Sequence, residues 1–149
     1  MRSRRTRLTT ALAVAAAAVI AAPSAASADV YRDAEWWIVD YGISEAWKTT
    51  RGEGVTIAVL DTGIDGDHPD LRGAVVGGAD MTGEGSPDGQ EPVGLDGEHG
   101  TMVASLLAGR PAGSTGVIGV APASKILSVS MSFELIESVP SDQQIANGI

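Results

Sequence analysis

The sequence predicts an α/β fold built on a parallel sheet, and three stretches carry that prediction. Val55-Thr-Ile-Ala-Val-Leu60 is an unbroken apolar and β-branched run, opened by Gly54 and closed by Asp61-Thr-Gly63. That is the pattern of a strand buried on both faces. Lys125-Ile-Leu-Ser-Val-Ser-Met131 is a second strong strand, and between the two His99-Gly-Thr-Met-Val-Ala-Ser-Leu-Leu-Ala108 reads as a helix. A carboxylate placed directly after a buried parallel strand lies at the carboxyl edge of the sheet, where open α/β folds gather their chemistry.

Residues 1–28 stand apart from this domain. Arg2, Arg4, Arg5 and Arg7 form a basic start, Leu8 to Ala22 is Ala-rich and apolar, and Ala26-Ser27-Ala28 supplies a small-x-small cleavage pattern. The expected element is a signal peptide. A membrane anchor is the competing reading, but the run is short for a bilayer and low in Leu and Ile. Ser3-Arg4-Arg5 leaves both the general and the twin-arginine export routes open. The protein is therefore expected to be secreted or held at the cell surface.

The chain has 149 residues, no cysteine and a formal charge of −9. The four arginines of the leader leave with it, so six basic and all 19 acidic residues remain, a net charge of −13. A polyanion would be repelled, which excludes nucleic-acid binding as a main role. An exported chain without cysteine has no disulfide to brace it and relies on core burial, helped or not by bound cations.

Residues 29–54 form an N-terminal extension. Ile43, Ala46 and Trp47 share a helical face, Ser44-Glu45 suit a helix start, and the three tryptophans, Trp36, Trp37 and Trp47, are expected to pack the extension onto the domain. Arg51-Gly-Glu-Gly54 is the turn into the first strand. After Asp61, the segment Gly66-Asp-His-Pro-Asp70 reads as a turn, because His68 before Pro69 is pushed out of helical geometry. Residues 74–79 form a short strand candidate, and 82–97, rich in Gly, Pro, Asp and Glu, a surface loop. In the helix that follows, Met102, Val103, Leu106 and Leu107 mark the apolar face, and Gly109 suits its C-terminal cap. A last helix opening near Gln143 has no ending, and the sheet is given no second apolar layer. Residues 55–149 are thus expected to be the N-terminal part of a longer domain.

Asp61 alone fits a turn cap as well as a catalytic acid, and His99 alone fits a structural helix start. Together they are more specific. A serine hydroxyl is a weak nucleophile that needs a base within hydrogen-bond reach, and the base needs a carboxylate to fix its tautomer and stabilise its protonated form. Asp61 before His99 is the chain order of one known triad arrangement, Asp…His…Ser.

The sequence resembles the subtilisin-like serine peptidases. Val59-Leu-Asp-Thr-Gly-Ile-Asp65, extended by His68-Pro-Asp-Leu71, is similar to the family's aspartate motif, and His99-Gly-Thr-Met-Val-Ala104 to its histidine motif. Gly116-Val-Ile-Gly-Val-Ala-Pro122 is similar to the segment that follows the histidine helix. The resemblance implies a three-layer α/β/α fold with a parallel central sheet, Asp61 as orienting acid and His99 as general base of a serine endopeptidase acting on protein or peptide substrates. Three departures stand out. No Gly-Thr-Ser nucleophile motif or oxyanion Asn occurs, Met102 stands where many members have a second histidine, and Glu98 where Gly is commoner. The 149 residues alone are expected to be inactive. The Trp-rich lead-in is similar to that of the mycosins, proteases associated with type VII secretion, and implies a membrane anchor in a missing C-terminal segment.

The resemblance further implies that Phe133 to Pro140, with Phe133, Ser138, Val139 and Pro140 foremost, lines the substrate path. Glu134 and Glu137 are then either a preference for basic substrates or exposed loop acids. No cofactor is required. The resemblance implies a Ca²⁺ ligand at Asp70, but residues 110–115 offer no Asn or Asp beside it, so a solvated turn carboxylate is expected there, with Ca²⁺ as the alternative. Asp61, Asp65, Asp67 and Asp70 fail the EF-hand spacing, His68 has no zinc partner, and no nucleotide loop is present. Two rival classes remain. One is an exported binding or scaffold protein that keeps the fold without the nucleophile, and the other is an acidic calcium-binding module.

Overall fold

A computed structural model describes residues 29–113, 115–131 and 146–147. Three strands, β1 (Thr56–Asp61), β2 (Val75–Asp80) and β3 (Lys125–Ser130), form a parallel sheet in the order β1-β3-β2. β3 pairs with β1 in unbroken register, Thr56 opposite Lys125 through Asp61 opposite Ser130. Its pairing with β2 shifts between Val75 and Gly77, so Val76 is a bulge. The long helix, Glu98–Ala108, lies against the face carrying Val59 and Ile126 and is called α4 below. Three short helices precede the sheet: α1 (Asp29–Asp33), α2 (Trp37–Asp40) and α3 (Ile43–Ala46).

The core is built from Val59, Ile64, Leu71, Ala74, Ala104, Ala108 and Ile126, with Ile57, Val75, Val103 and Leu107 at its margin. Ile64, Leu71 and Ile126 are fully buried. Burying each such side chain contributes about 1.5–3 kcal/mol, so these three anchor the sheet to α4 and to the short 3₁₀ turn Pro69–Leu71. His68 is the turn residue expected, its Nδ1 accepting the Asp70 N–H at 3.3 Å.

Two expectations are corrected. β1 is not buried on both faces: Val59 and Asp61 are buried, but Thr56 and Ala58 are exposed. β1 is an edge of the described sheet, pairing with β3 alone. Only part of the apolar face marked on α4 turns inward: Val103 and Leu107 pack at the margin of the core. Gly100, Thr101, Ala104, Ser105 and Ala108 face inward, whereas Met102 and Leu106 are exposed. The reason is close approach. A Cβ on Gly100 would collide with the carbonyl of Gly63, so the helix lies too near the loop after β1 to fit large side chains between them. Close approach also explains Gly109. It ends the helix in an extended conformation, φ −52° and ψ 131°, rather than a left-handed one, and a Cβ there would meet the Val117 carbonyl at 2.6 Å.

The extension docks through polar contacts at alternate residues of the segment after α4. Arg32 donates from Nε and Nη2 to the Gly116 carbonyl (3.1 and 3.0 Å), Glu35 Oε1 accepts the Ile118 N–H at 2.9 Å, and the Trp47 indole N–H donates to the Val120 carbonyl at 2.8 Å. Glu35 is buried, and that burial raises its carboxyl pKa despite the Ile118 N–H and Arg32. Of the tryptophans, Trp47 makes the expected contact, while Trp36 remains exposed and stacks edge-on with Trp37 and Tyr41. Among the described residues no helix is long and apolar enough to cross a membrane. The leader and Phe133, Glu134, Glu137, Ser138, Val139 and Pro140 lie outside the described residues.

Candidate active site

Asp61 ends β1 and is almost wholly buried. Its backbone carbonyl accepts the Met131 N–H just past β3, which fixes the strand end. His99 sits in the first turn of α4, and its Nδ1 lies 2.7 Å from Asp61 Oδ1 and 2.9 Å from Oδ2. A carboxylate on Nδ1 makes that nitrogen the protonated one, leaving Nε2 as the acceptor. The imidazole is half exposed, and among the described residues Nε2 has no hydrogen-bond partner. The hydrogen bond and the negative charge of Asp61 raise the His99 pKa, and Asp96 adds to this from farther off. Glu98 instead lies in the first turn of α4, where a carboxylate suits the positive end of the helix.

One residue joins the two motifs. The Thr62 hydroxyl accepts the Gly100 N–H at 3.0 Å and lies 2.9 Å from the Gly97 carbonyl, so it caps α4 from outside. Gly97 itself offers no side-chain cap. The Thr62 N–H also donates to Asp61 Oδ1 at 2.7 Å, holding the carboxylate toward His99. Thr101 Oγ1 accepts the Asp65 N–H at 2.9 Å, a second tie between the strand-end loop and the helix. The sequence signal for both threonines was their place in the two motifs, but spacing alone assigns them no partner. In Thr62→Val the methyl replaces the hydroxyl and leaves a buried helix N–H unpaired. The expected cost is about 1 kcal/mol of stability, read as a fall in melting temperature; an unchanged melting temperature would show that the Thr62 hydroxyl is not the cap.

The subtilase family model matches residues 52–149. The chain belongs to the subtilase family. This subtilase is 37% identical over 123 residues to mycosin-1 of Mycobacterium tuberculosis, covering 81% of this chain and 26% of that protein. It is 42% identical over 85 residues to thermitase of Thermoactinomyces vulgaris, covering 57% of this chain and 29% of that protein. The crystal structure of MycP1 with the N-terminal propeptide removed matches with a TM-score of 0.58 at 33% identity, over 75% of this chain and 32% of that one. The α/β fold with a parallel sheet is thus that of the family. The subtilase chain spans about a quarter to a third of the length of these relatives.

Asp70 of this subtilase lies beside the segment after α4. Its Oδ2 accepts the Val117 N–H at 3.0 Å, and the neighbouring Gly116 carbonyl is held by the Arg32 guanidinium. Asp70 thus ties the 3₁₀ turn to that segment through a charge-assisted hydrogen bond.

Proposed function

We propose that the whole protein is an exported serine endopeptidase, and that this chain supplies its orienting acid, Asp61, and its general base, His99. The 2.7 Å contact between His99 Nδ1 and Asp61 carries the proposal. In the reaction, a serine hydroxyl attacks the peptide carbonyl while its proton passes to His99 Nε2. Asp61 stabilises the imidazolium, which then protonates the leaving amine. The serine and the oxyanion donors would come from sequence beyond these 149 residues, so the chain alone is proposed to be inactive. Residues 133–140 are proposed to line the path of an extended substrate, by family resemblance. Residues 1–28 are proposed to be removed on export. The likeness to MycP1 from the ESX-1 type VII secretion system supports a role beside a secretion system.

A fluorophosphonate that labels activated serines tests the proposal. The natural full-length protein is expected to be labelled, with labelling abolished by His99→Ala, and residues 29–149 are expected to stay unlabelled. A full-length protein that resists labelling while still folded would favour a non-catalytic scaffold instead.

We further propose that Asp70 braces the segment after α4 and does not hold Ca²⁺. The melting temperature of the full-length protein is then expected to be the same in excess Ca²⁺ and in chelator, apart from any effect that survives in Asp70→Asn. A rise with Ca²⁺ that disappears in Asp70→Asn would return the ion to this place.

A further inference from the structure

Three of the six cationic side chains beyond residue 28 line one cavity of an otherwise acidic molecule. Arg32 comes from the extension, Arg51 from the turn before β1, and Arg110 from the chain just past α4. The cavity, about 260 Å³ in volume, shares no lining residue with the Asp61–His99 site.

The three differ in how far nearby carboxylates offset them, and Arg110 is the one whose partners are all uncharged. Arg32 is paired with Glu35, Nε to Oε2 at 3.2 Å. Arg110 donates to the backbone carbonyls of Ala108, Gly73 and Ser124. Its partners are all uncharged, and burial pushes its pKa down. Arg51 lies over the Trp47 ring at 4.5 Å, and the carboxylate its charge acts on, Glu53, is exposed and already accepts the Arg51 N–H and the Thr50 hydroxyl. Arg110, partly desolvated and paired only with neutral carbonyls, gains from an anion placed beside it. The planar guanidinium fork matches a phosphate or carboxylate group by two parallel N–H donors. A cavity several times the volume of a water, about 30 Å³, has room for either.

We propose that this cavity binds a small oxyanion, a phosphate or a carboxylate, clasped by Arg51 and Arg110 beside Arg32. The bound anion ties the extension to the chain after α4, so its binding stabilises the folded protein.

The test is calorimetric titration and thermal melting of the natural full-length protein with inorganic phosphate and, separately, glutarate. Ionic strength is held constant with sodium chloride. Saturable binding is expected, with a melting temperature above that in chloride alone. Arg51→Gln removes a fork that holds only a ring face, and is expected to weaken binding at least tenfold while the protein stays folded. Arg110→Lys, which keeps the charge and loses the fork, is expected to weaken it as well. Lys48→Gln, in an exposed pair with Glu45 away from the cavity, is expected to leave binding unchanged. Tighter binding of phosphate assigns the site to phosphoryl groups, and tighter binding of glutarate to carboxylates. No saturable response to either anion, or a response equal in wild type, Arg51→Gln and Arg110→Lys, overturns the proposal and leaves the arginines as braces.

Discussion

Replacing His99 by alanine is expected to lower kcat of the full-length protein by about 10⁶-fold, the scale seen when the base of a triad is removed. The imidazole is half exposed, and its one hydrogen-bond partner among the described residues is Asp61. Little of the fold depends on it, so melting temperature should change far less than activity. The check is single-turnover hydrolysis of a peptide ester alongside thermal melting. A His99→Ala protein that keeps wild-type turnover would remove His99 from the mechanism, whatever its distance from Asp61.

Asp61→Asn is expected to cost about 10⁴-fold in kcat with the backbone unmoved. The Thr62 N–H can still donate to the Asn oxygen, as it does to Asp61 Oδ1 at 2.7 Å. The amide N–H₂ then faces His99 Nδ1 and asks it to accept. The ring proton moves to Nε2, the position that must take a proton from the nucleophile, and the base is held in the wrong tautomer. The pH profile gives an independent reading. Asp61 raises the His99 pKa above the ordinary histidine value, about 6.5. Catalysis needs the neutral ring, so kcat/KM should fall as pH drops through that raised value. The linked stability runs the other way. The His99–Asp61 ion pair contributes fully below about pH 6.5 and is lost as pH rises through the raised pKa. In Asp61→Asn the acid limb of the residual activity should shift to lower pH. An unshifted limb would mean that another group sets it.

Much of this site was legible in the chain because its signals are local. An apolar run closed by Asp61-Thr-Gly63 specifies a strand ending in a carboxylate, and that carboxylate is the last residue of β1. The turn at His68-Pro69 follows from steric exclusion, and it forms. The inward face of α4 was only half legible: Val103 and Leu107 pack at the core margin as their spacing indicates, but the centre of the contact is made of small residues. Here the Gly63 carbonyl lies where a Cβ on Gly100 would sit, and the buried residues are small. The cap on α4 was missed for a similar reason: it comes from Thr62, 38 positions upstream of its partner Gly100.

By itself the sequence determined the three strands and α4, the order of the acid and the base, and the family, since each rests on residue types at short range. Only the tertiary structure decided that β3 lies between β1 and β2, that Asp61 reaches His99 across 38 positions, and that Arg32, Arg51 and Arg110 share one cavity. Those are long-range contacts. They are set by how the crossover connections lay α4 and the extension against the sheet, and local propensity carries no record of that packing.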